Sequence, residues 1–529
     1  MVRRVVASRL TLACLIALLA LGARLLPQPR TIDDAFITFR YARHVLAGEG
    51  FSYNPGERVL GTTTPLYTLL MAGLAGATGY ADYPRLAWLV NAFADVFTCL
   101  LLIWLGEKIS GRRSVGLAVG ALWAVAPMSV TFAIGGMETS VFILLLTLSA
   151  ALYLAAHSRW AAFTCALLLL ARPDGAIFVG LLGLDVLWRS WRARRLPWAE
   201  ALILVGTLAP WALYATWNFG SPLPHSIAAK TLAYRLGPTE GLVRLIQHYS
   251  TPFFESDWLG AWWQLAGTVV YLALCLVGGL AAFRRDSRTW ALAVYPWAYF
   301  AVFALANPLI FRWYLAPPLP LYFVFILTGL ATVAASLQSL SPRSHRDVSA
   351  TGLSPLSGVP GIGWPIPAVA VTAAFLVFFG SSLGAWTLHP DHGPQAPAPQ
   401  MAWHKLELLY TEVALRLVSE AKVDANTLLA AGDVGALGYY SGARILDTVG
   451  LMSPEASRYY PLKPELYVIN YAVPPQLILD ARPAYVVLLE VYGREGLFKD
   501  PAFLSQYTLL SKAPTDIYGS DGMLVWQRR

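Results

Sequence analysis

Apolar runs about as long as a bilayer is thick recur through the first three-quarters of this chain, and they constrain the fold more than any other feature. A helix needs roughly 20 apolar residues to cross the hydrocarbon core, where it must also satisfy its backbone polar groups internally. Runs of this kind lie near 8–27, 86–105, 114–134, 138–156, 199–219, 262–283, 289–308, 314–337 and 365–386. The apolar stretch 160–188 is broken at Arg172-Pro173-Asp174-Gly175 and is expected to form two short helices meeting at a turn. The chain therefore reads as a polytopic α-helical membrane protein with about eleven transmembrane helices. Only 13% of its 529 residues are charged and 57% are apolar, about half the charge of a soluble domain. A soluble enzyme, a disordered chain and a disulfide scaffold are excluded. Cys14, Cys99, Cys165 and Cys275 all fall inside apolar runs, with no metal-ligand spacing, and read as small buried residues.

The basic residues set the orientation. With Arg3, Arg4 and Arg9 on the cytoplasmic side, alternate loops carry Lys108/Arg112/Arg113, Arg159, Arg189/Arg192/Arg194/Arg195, Arg284/Arg285/Arg288 and Arg343/Arg346. All fall on one side, as the positive-inside rule requires. The net charge of +8 is thus an orientation signal, and no nucleic-acid partner is expected. This parity holds only if 64–79 does not cross; with its glycines and Pro65 it reads as a helix at the outer interface. Residues 1–23 also resemble a signal peptide, but the parity favours an uncleaved first helix.

Composition also divides the chain. Residues 1–387 form the membrane domain, with a long first outer loop at 28–85; 388–400 is a Pro-rich linker, and 401–529 follows as an outer domain. A second Ser/Pro/Gly-rich segment, 339–364, is expected to be a mobile cytoplasmic loop. In the last domain LELLYTEVALRLVSEA has helical periodicity, while TLLAAG, ARILDTVG, AYVVLLE and GMLVWQ read as short buried strands. The expectation is an extracytoplasmic α/β domain.

Outer-side polar residues are few. The first loop opens Thr31-Ile32-Asp33-Asp34; Thr31 or Asp33 can cap a helix there, or the paired carboxylates can act as a general base, with a divalent cation as the one cofactor left open. Glu138 either caps the fourth span or adds a third carboxylate. Arg172 and Asp174 either pair at a turn or contact substrate. Asn91 and Asp95, on one face of the second span, read as an interhelical hydrogen-bonding pair. His44 and His248 read as interface histidines. Gly432–Tyr440 is glycine-rich without a nucleotide fingerprint and reads as a strand–loop whose face helps hold an acceptor.

The string DDAFITFRYARHVLAGEGFSYNPGERVLGTTTPLYTLL resembles the first loop of GT-C glycosyltransferases, in the branch of the mycobacterial terminal β-arabinofuranosyltransferases. That resemblance implies a GT-C fold and transfer of a sugar, such as arabinofuranose, from a polyprenyl-phosphate donor. The acceptor would be a cell-envelope glycan or a glycoprotein at the outer face of the plasma membrane. By the family pattern Asp33 takes the base role and Asp34 orients the acceptor or tunes Asp33. The leaving phosphate needs fixed cations, for which Lys230, Arg312 and Arg172 are candidates. Arg40, His225 and Tyr314 join Glu138 and Asp174 as substrate contacts. The rivals are a transporter or lipid flippase, which would place ionisable residues mid-membrane, and a non-catalytic glycan-binding scaffold.

Overall fold

The computed structural model describes residues 2–340, 366–385 and 402–529. Most of the Ser/Pro/Gly-rich segment, with Arg343 and Arg346, and the whole 388–400 linker lie outside the described residues.

Helix α1 (Val2–Leu25) leads into the long first loop, which carries α2 (Asp33–Leu46) and α3 (Pro65–Thr78). After α4 (Tyr83–Ser110), helices α5 (Arg113–Val125) and α6 (Pro127–Ile134) meet at a bend of 46°, where Pro127 cannot donate to the preceding turn. Next come α7 (Thr139–Leu154), α8 (Ser158–Ala171), α9 (Gly175–Arg192) and α10 (Trp198–Phe219). Three shorter helices, α11 (His225–Ala233), α12 (Glu240–Ser250) and α13 (Ser256–Leu259), precede α14 (Trp263–Arg285), α15 (Trp290–Ala306), α16 (Leu319–Leu340) and α17 (Ile366–Leu383). Every expected apolar run is helical, including the pair α8 and α9 on either side of Arg172–Asp174. Six helices (α4, α10, α14, α15, α16 and α17) are long and apolar enough to cross a membrane, and the bent α5–α6 pair makes a seventh if it is one span. The apolar stretches of α1, α7 and α8 are shorter, and α9 carries Asp185, Arg189 and Arg192 along its length. Helix α3 has 14 residues, about 21 Å at 1.5 Å per residue, against a core of about 30 Å.

The basic loops gather at one end of the bundle. Arg112 and Arg285 line one cavity there, the Arg189 guanidinium donates to Ser287 at 3.0 Å, and that of Arg288 to the Tyr153 carbonyl at 3.4 Å. Within the bundle Asp95 is paired with Arg24 at 3.0 Å and accepts from Ser129 and Ser140, each at 3.2 Å. Asn91 donates to the carbonyls of Met137 (2.8 Å) and Ala133 (3.3 Å). Both residues therefore tie helices together, as expected of buried polar groups.

The C-terminal domain begins with α18 (Ala402–Glu420) and continues through β1 (Leu428–Ala431), α19 (Gly435–Ser441), β2 (Arg444–Asp447), α20 (Pro475–Ala481), β3 (Tyr485–Leu489), α21 (Pro501–Gln506), β4 (Tyr507–Ala513) and β5 (Met523–Arg528). The sheet order is β2-β1-β3-β5-β4, parallel across β2-β1-β3 and antiparallel across β3-β5-β4. Strand β4 was not expected. It is an edge strand with mostly exposed residues and a register shift at Leu509/Ser511, so it lacks the alternation that marks a half-buried strand.

This domain docks on α2 through backbone. The Asp33 carboxylate accepts from the N–H groups of Gly435 (2.9 Å) and Ala436 (2.7 Å) at the start of α19. At the other end the Arg40 guanidinium donates to the carbonyls of Gly438 and Ala443, and Arg43 to that of Tyr439. Asn54 bonds the Ile445 backbone both ways, at 3.0 Å each. A Cβ at Gly438 would collide with the Tyr53 hydroxyl and the Arg40 guanidinium, and one at Gly435 with the Asp33 backbone. Gly438→Ala is therefore expected to destabilise the chain by about 1–3 kcal/mol through overpacking. A thermal melt in nanodiscs reads this as a lowered Tm; an unchanged Tm would contradict the docking geometry.

Candidate active site

At the bundle end opposite the arginine-rich loops lies a cavity of about 570 Å³. It draws Asp34 from α2, Thr62–Thr64 from the first loop, Glu138, Arg172 and Asp174 from helix junctions, and Lys230 from α11. Tyr314 and Met452 close it on two sides. The sequence scatters these groups over hundreds of residues; the helix ends bring them to one level.

Adjacent acids on a helix point about 100° apart, and Asp33 and Asp34 accordingly part company. Asp33 is 4% exposed. It caps α19 instead of its own helix, whose N-cap, Ile32, supplies no side-chain bond. Burial pushes its carboxyl up, the Ala436 and Gly435 N–H groups pull it back, and neighbouring Asp34 adds to the rise, leaving it at about 7. Asp34 accepts no hydrogen bond from the described residues, and burial raises its pKa while the Lys230 ammonium holds it down. Lys230 makes no ion pair among the described residues and rests over the Phe311 ring, 4.9 Å from its centroid.

Arg172 centres the far wall. Its guanidinium grips Asp174 with two bonds of 2.9 Å, lies 3.5 Å from Glu138, and stacks 5.0 Å from the Tyr314 ring centroid. The Tyr299 hydroxyl also donates to Asp174 at 2.9 Å. Burial opposes the Arg172 charge, but Asp174 and Glu138 outweigh it and hold the group well above its ordinary pKa. Glu138 makes no side-chain bond to cap α7; burial raises its pKa against the pull of Arg172. Arg172 is thus both a turn residue and a wall of the cavity, with its charge already balanced.

Beside this cavity a recess of about 50 Å³ is shared by Asp33, Asp34, Lys230 and Asp433. Asp433 follows β1 and accepts from the Tyr410 hydroxyl at 3.3 Å. Burial first, then the charge of Asp33, push it up to about 8. Sequence reasoning read the surrounding glycine-rich stretch but not this residue. Its signal was positional, an acid just past the C-terminal end of a parallel strand.

Other expectations need correction. Arg40 is wholly buried and committed to backbone carbonyls of the C-terminal domain and of Tyr53 (2.7 Å), so it is no substrate contact. Within the stretch 432–440, Gly435 and Gly438 make room for α2 and the first loop, whereas Gly432 packs on Tyr471 and with Asp433 lines the recess. His225 bonds the Leu60 carbonyl through its backbone N–H at 2.9 Å and does not line the central cavity. Arg312 lines two neighbouring cavities with Arg244 and not the central one that Lys230 lines. A divalent cation finds no cluster: among the described residues no three His, Cys, Asp or Glu side chains are placed to hold one, since Asp33 serves backbone N–H groups and Glu138 and Asp174 serve Arg172. His44 and His248 bond the carbonyls of Ser52 and Leu315, each at 2.9 Å, as interface histidines do.

Comparison with known proteins places this geometry. A family model described as a domain of unknown function (DUF8728) matches residues 400–526. The terminal β-(1→2)-arabinofuranosyltransferase of Mycobacterium tuberculosis is 30% identical over 224 residues, 38% of this chain and 35% of that enzyme. The chain thus spans about a third of the length of that relative. ArnT from Cupriavidus metallidurans bound to undecaprenyl phosphate superposes with a TM-score of 0.57, at 13% identity, over 98% of both chains. Its apo state superposes with the same score at 14% identity, over 99% of this chain and 98% of that one. The superposition spans nearly the whole of both chains, and the chain has the GT-C fold.

Proposed function

We propose that this protein is a glycosyltransferase that moves a sugar from a polyprenyl-phosphate donor to an acceptor hydroxyl, with Asp34 as general base. The observation that carries this reading is one cavity lined by Asp34, a carboxylate without a bonded donor among the described residues, and Lys230, an ammonium without an ion pair among them. Support for the donor class comes from the ArnT structure, whose bound molecule is undecaprenyl phosphate. The partial match to an arabinofuranosyltransferase supports arabinofuranose as the sugar and an envelope glycan or glycoprotein as the acceptor.

The chemistry follows from charge. The acceptor oxygen attacks the anomeric carbon as its proton passes to Asp34. The bond from that carbon to the phosphate oxygen breaks, and Lys230 meets the negative charge that develops on the departing polyprenyl phosphate. Phe303, Ala306 and Leu309 give the cavity an apolar wall for the first units of the lipid. Asp33 becomes a positioning residue, since its carboxylate holds the C-terminal domain. This reverses the roles that the family pattern assigns to the pair. Arg172, already balanced, shapes the pocket for the sugar. A transporter reading loses its two features, because Asp95 is locked to Arg24 and the 172–174 break is closed by its own ion pair.

Asp34→Asn should lower kcat by about 10²-fold or more in a transfer assay with lipid-linked donors, the usual scale for losing a general base. Undiminished transfer would remove Asp34 from the reaction. Asp33→Asn should act chiefly through a lowered Tm, with residual kcat above that of Asp34→Asn.

The pH profile supplies an independent readout. Asp34 must be ionised to act, so kcat/KM should rise with pH through an acid limb above the ordinary carboxylate range, because burial raises its pKa. Lys230 opposes that rise, so Lys230→Met should move the limb to still higher pH while reducing kcat. A limb that stays in place would separate Lys230 from Asp34.

Sidedness rests on the loop charges. With the arginine-rich end cytoplasmic, a cysteine at Pro55 should react with an impermeant maleimide in intact cells, and one at Arg195 should not. The reverse pattern would turn the site inward.

A further inference from the structure

Between α12, which contributes Arg244, and the C-terminal domain lies a further cavity of about 250 Å³. Its wall is a row of aromatic rings. Phe311 stands 6.1 Å from Tyr234, Tyr234 5.9 Å from Tyr471, and Tyr471 5.0 Å from Tyr492, centroid to centroid. Polar groups accompany the row. Asp433 is the cavity's one acid among the described residues, and Asn470 adds a side-chain amide that makes no hydrogen bond among them. The Tyr234 hydroxyl is likewise unbonded among the described residues. Tyr234 lines this cavity, the central one and the small recess. Asp433 and Phe311 line this cavity and the recess, which Asp34 and Lys230 also line. Shared residues therefore join the tyrosine-lined cavity to the proposed base.

Close packing leaves few interior voids larger than a water molecule. This one has room for about eight, the bulk of one sugar ring. Its lining is mixed in the way a sugar needs. A sugar carries C–H groups on its faces and hydroxyls around its edge, so the faces pack on tyrosine while the edge meets hydrogen-bonding groups. Asp433 accepts from the hydroxyls of Tyr410, at 3.3 Å, and Tyr492. A carboxylate offers about four acceptor positions, so capacity remains for a ligand hydroxyl. A peptide has other needs. Its backbone would seek a free strand edge, and neither edge strand of the sheet, β2 or β4, lines the cavity.

We propose that the acceptor is the end of an oligosaccharide. Its terminal ring presents the reacting hydroxyl to Asp34, and the next ring sits in the tyrosine-lined cavity, packed on Tyr234 and Tyr471 and bonded by Asp433 and Asn470. The substrate class is then a glycan recognised over two rings, in place of a single sugar or a protein side chain. The acceptor role rests on the transferase reading above; the glycan site stands on the cavity itself.

Calorimetric titration of the full-length protein in phosphatidylcholine nanodiscs tests the site without turnover. The probes are four-unit oligosaccharides of arabinofuranose and of glucopyranose, each set against its own methyl monoglycoside. In at least one series the oligosaccharide should bind about tenfold more tightly than the single unit, the scale of one aromatic contact with its hydrogen bonds. Tyr471→Leu should erase that preference. Tyr471→Phe should keep it, because the ring holds the sugar and the hydroxyl is bonded to Thr448. Asn470→Ala should cut the preference about threefold; Asn470 is half-buried, so this variant decides the matter if Tyr471→Leu fails to fold. Equal binding of oligosaccharide and single unit in both series, a preference indifferent to Tyr471→Leu and Asn470→Ala, or equal competition by a threonine-rich peptide overturns the site. In the transfer assay, the ratio of kcat/KM for the oligosaccharide to that for the monoglycoside should fall about tenfold in Tyr471→Leu. A structural lesion lowers both alike, and an unchanged ratio overturns the acceptor role. Absence of transfer by the unaltered protein would count against the transferase reading alone, because the titration still decides the glycan site.

Discussion

One short helix held at both ends organises the molecule. Helix α19 has seven residues, and its free N–H groups and free carbonyls form a dipole positive at the start and negative at the end. Asp33 meets the first with its carboxylate, and Arg40 and Arg43 meet the second with their guanidiniums. Asp33 and Arg40 stand about two turns apart on α2, which is close to the length of α19. The two helices therefore run side by side in the same direction, and the clamp works only in that register. Gly435 and Gly438 let the backbones approach this closely.

That clamp decides what neighbouring acids do. Because successive residues on a helix face different ways, one carboxylate of the pair is drawn into the domain interface and the other is left in the cavity. The same economy of charge recurs at Arg172, whose guanidinium is shared among Asp174, Glu138 and the Tyr314 ring. What is left unpaired among the described charges of the cavity is Asp34 and Lys230. In a site of low dielectric such a pair of uncommitted charges is costly unless a reacting substrate separates and uses it.

The sequence was legible where a single physical rule applied locally. Hydrophobic length marked the helices, down to the break between α8 and α9, and loop arginines marked the end they share. It was less legible wherever a residue's role depended on a partner far along the chain. Asp33 looked like a helix cap and was one, but for a helix some 400 residues away, with |i−j| of 402 to Gly435. Arg40 looked like a substrate ligand because charge in an outer loop invites that reading, yet its partners are carbonyls of Gly438 and Ala443. The glycines at 435 and 438 suggested a ligand loop, since close backbone approach is the same signal whether the visitor is a ligand or another helix. Asp433 and Arg244 carry no motif and became visible only through what they face.

Taken alone, the sequence determined a multi-pass helical membrane protein, its basic end, its small α/β domain and the acidic pair that heads the first loop. These follow from hydrophobic periodicity and charge counting, which act within a few turns of chain. Tertiary structure alone decided which acid faces the cavity and which arginines are spent on backbone carbonyls. The reason is that burial and pairing set the worth of a charge, and both are properties of the packed neighbourhood.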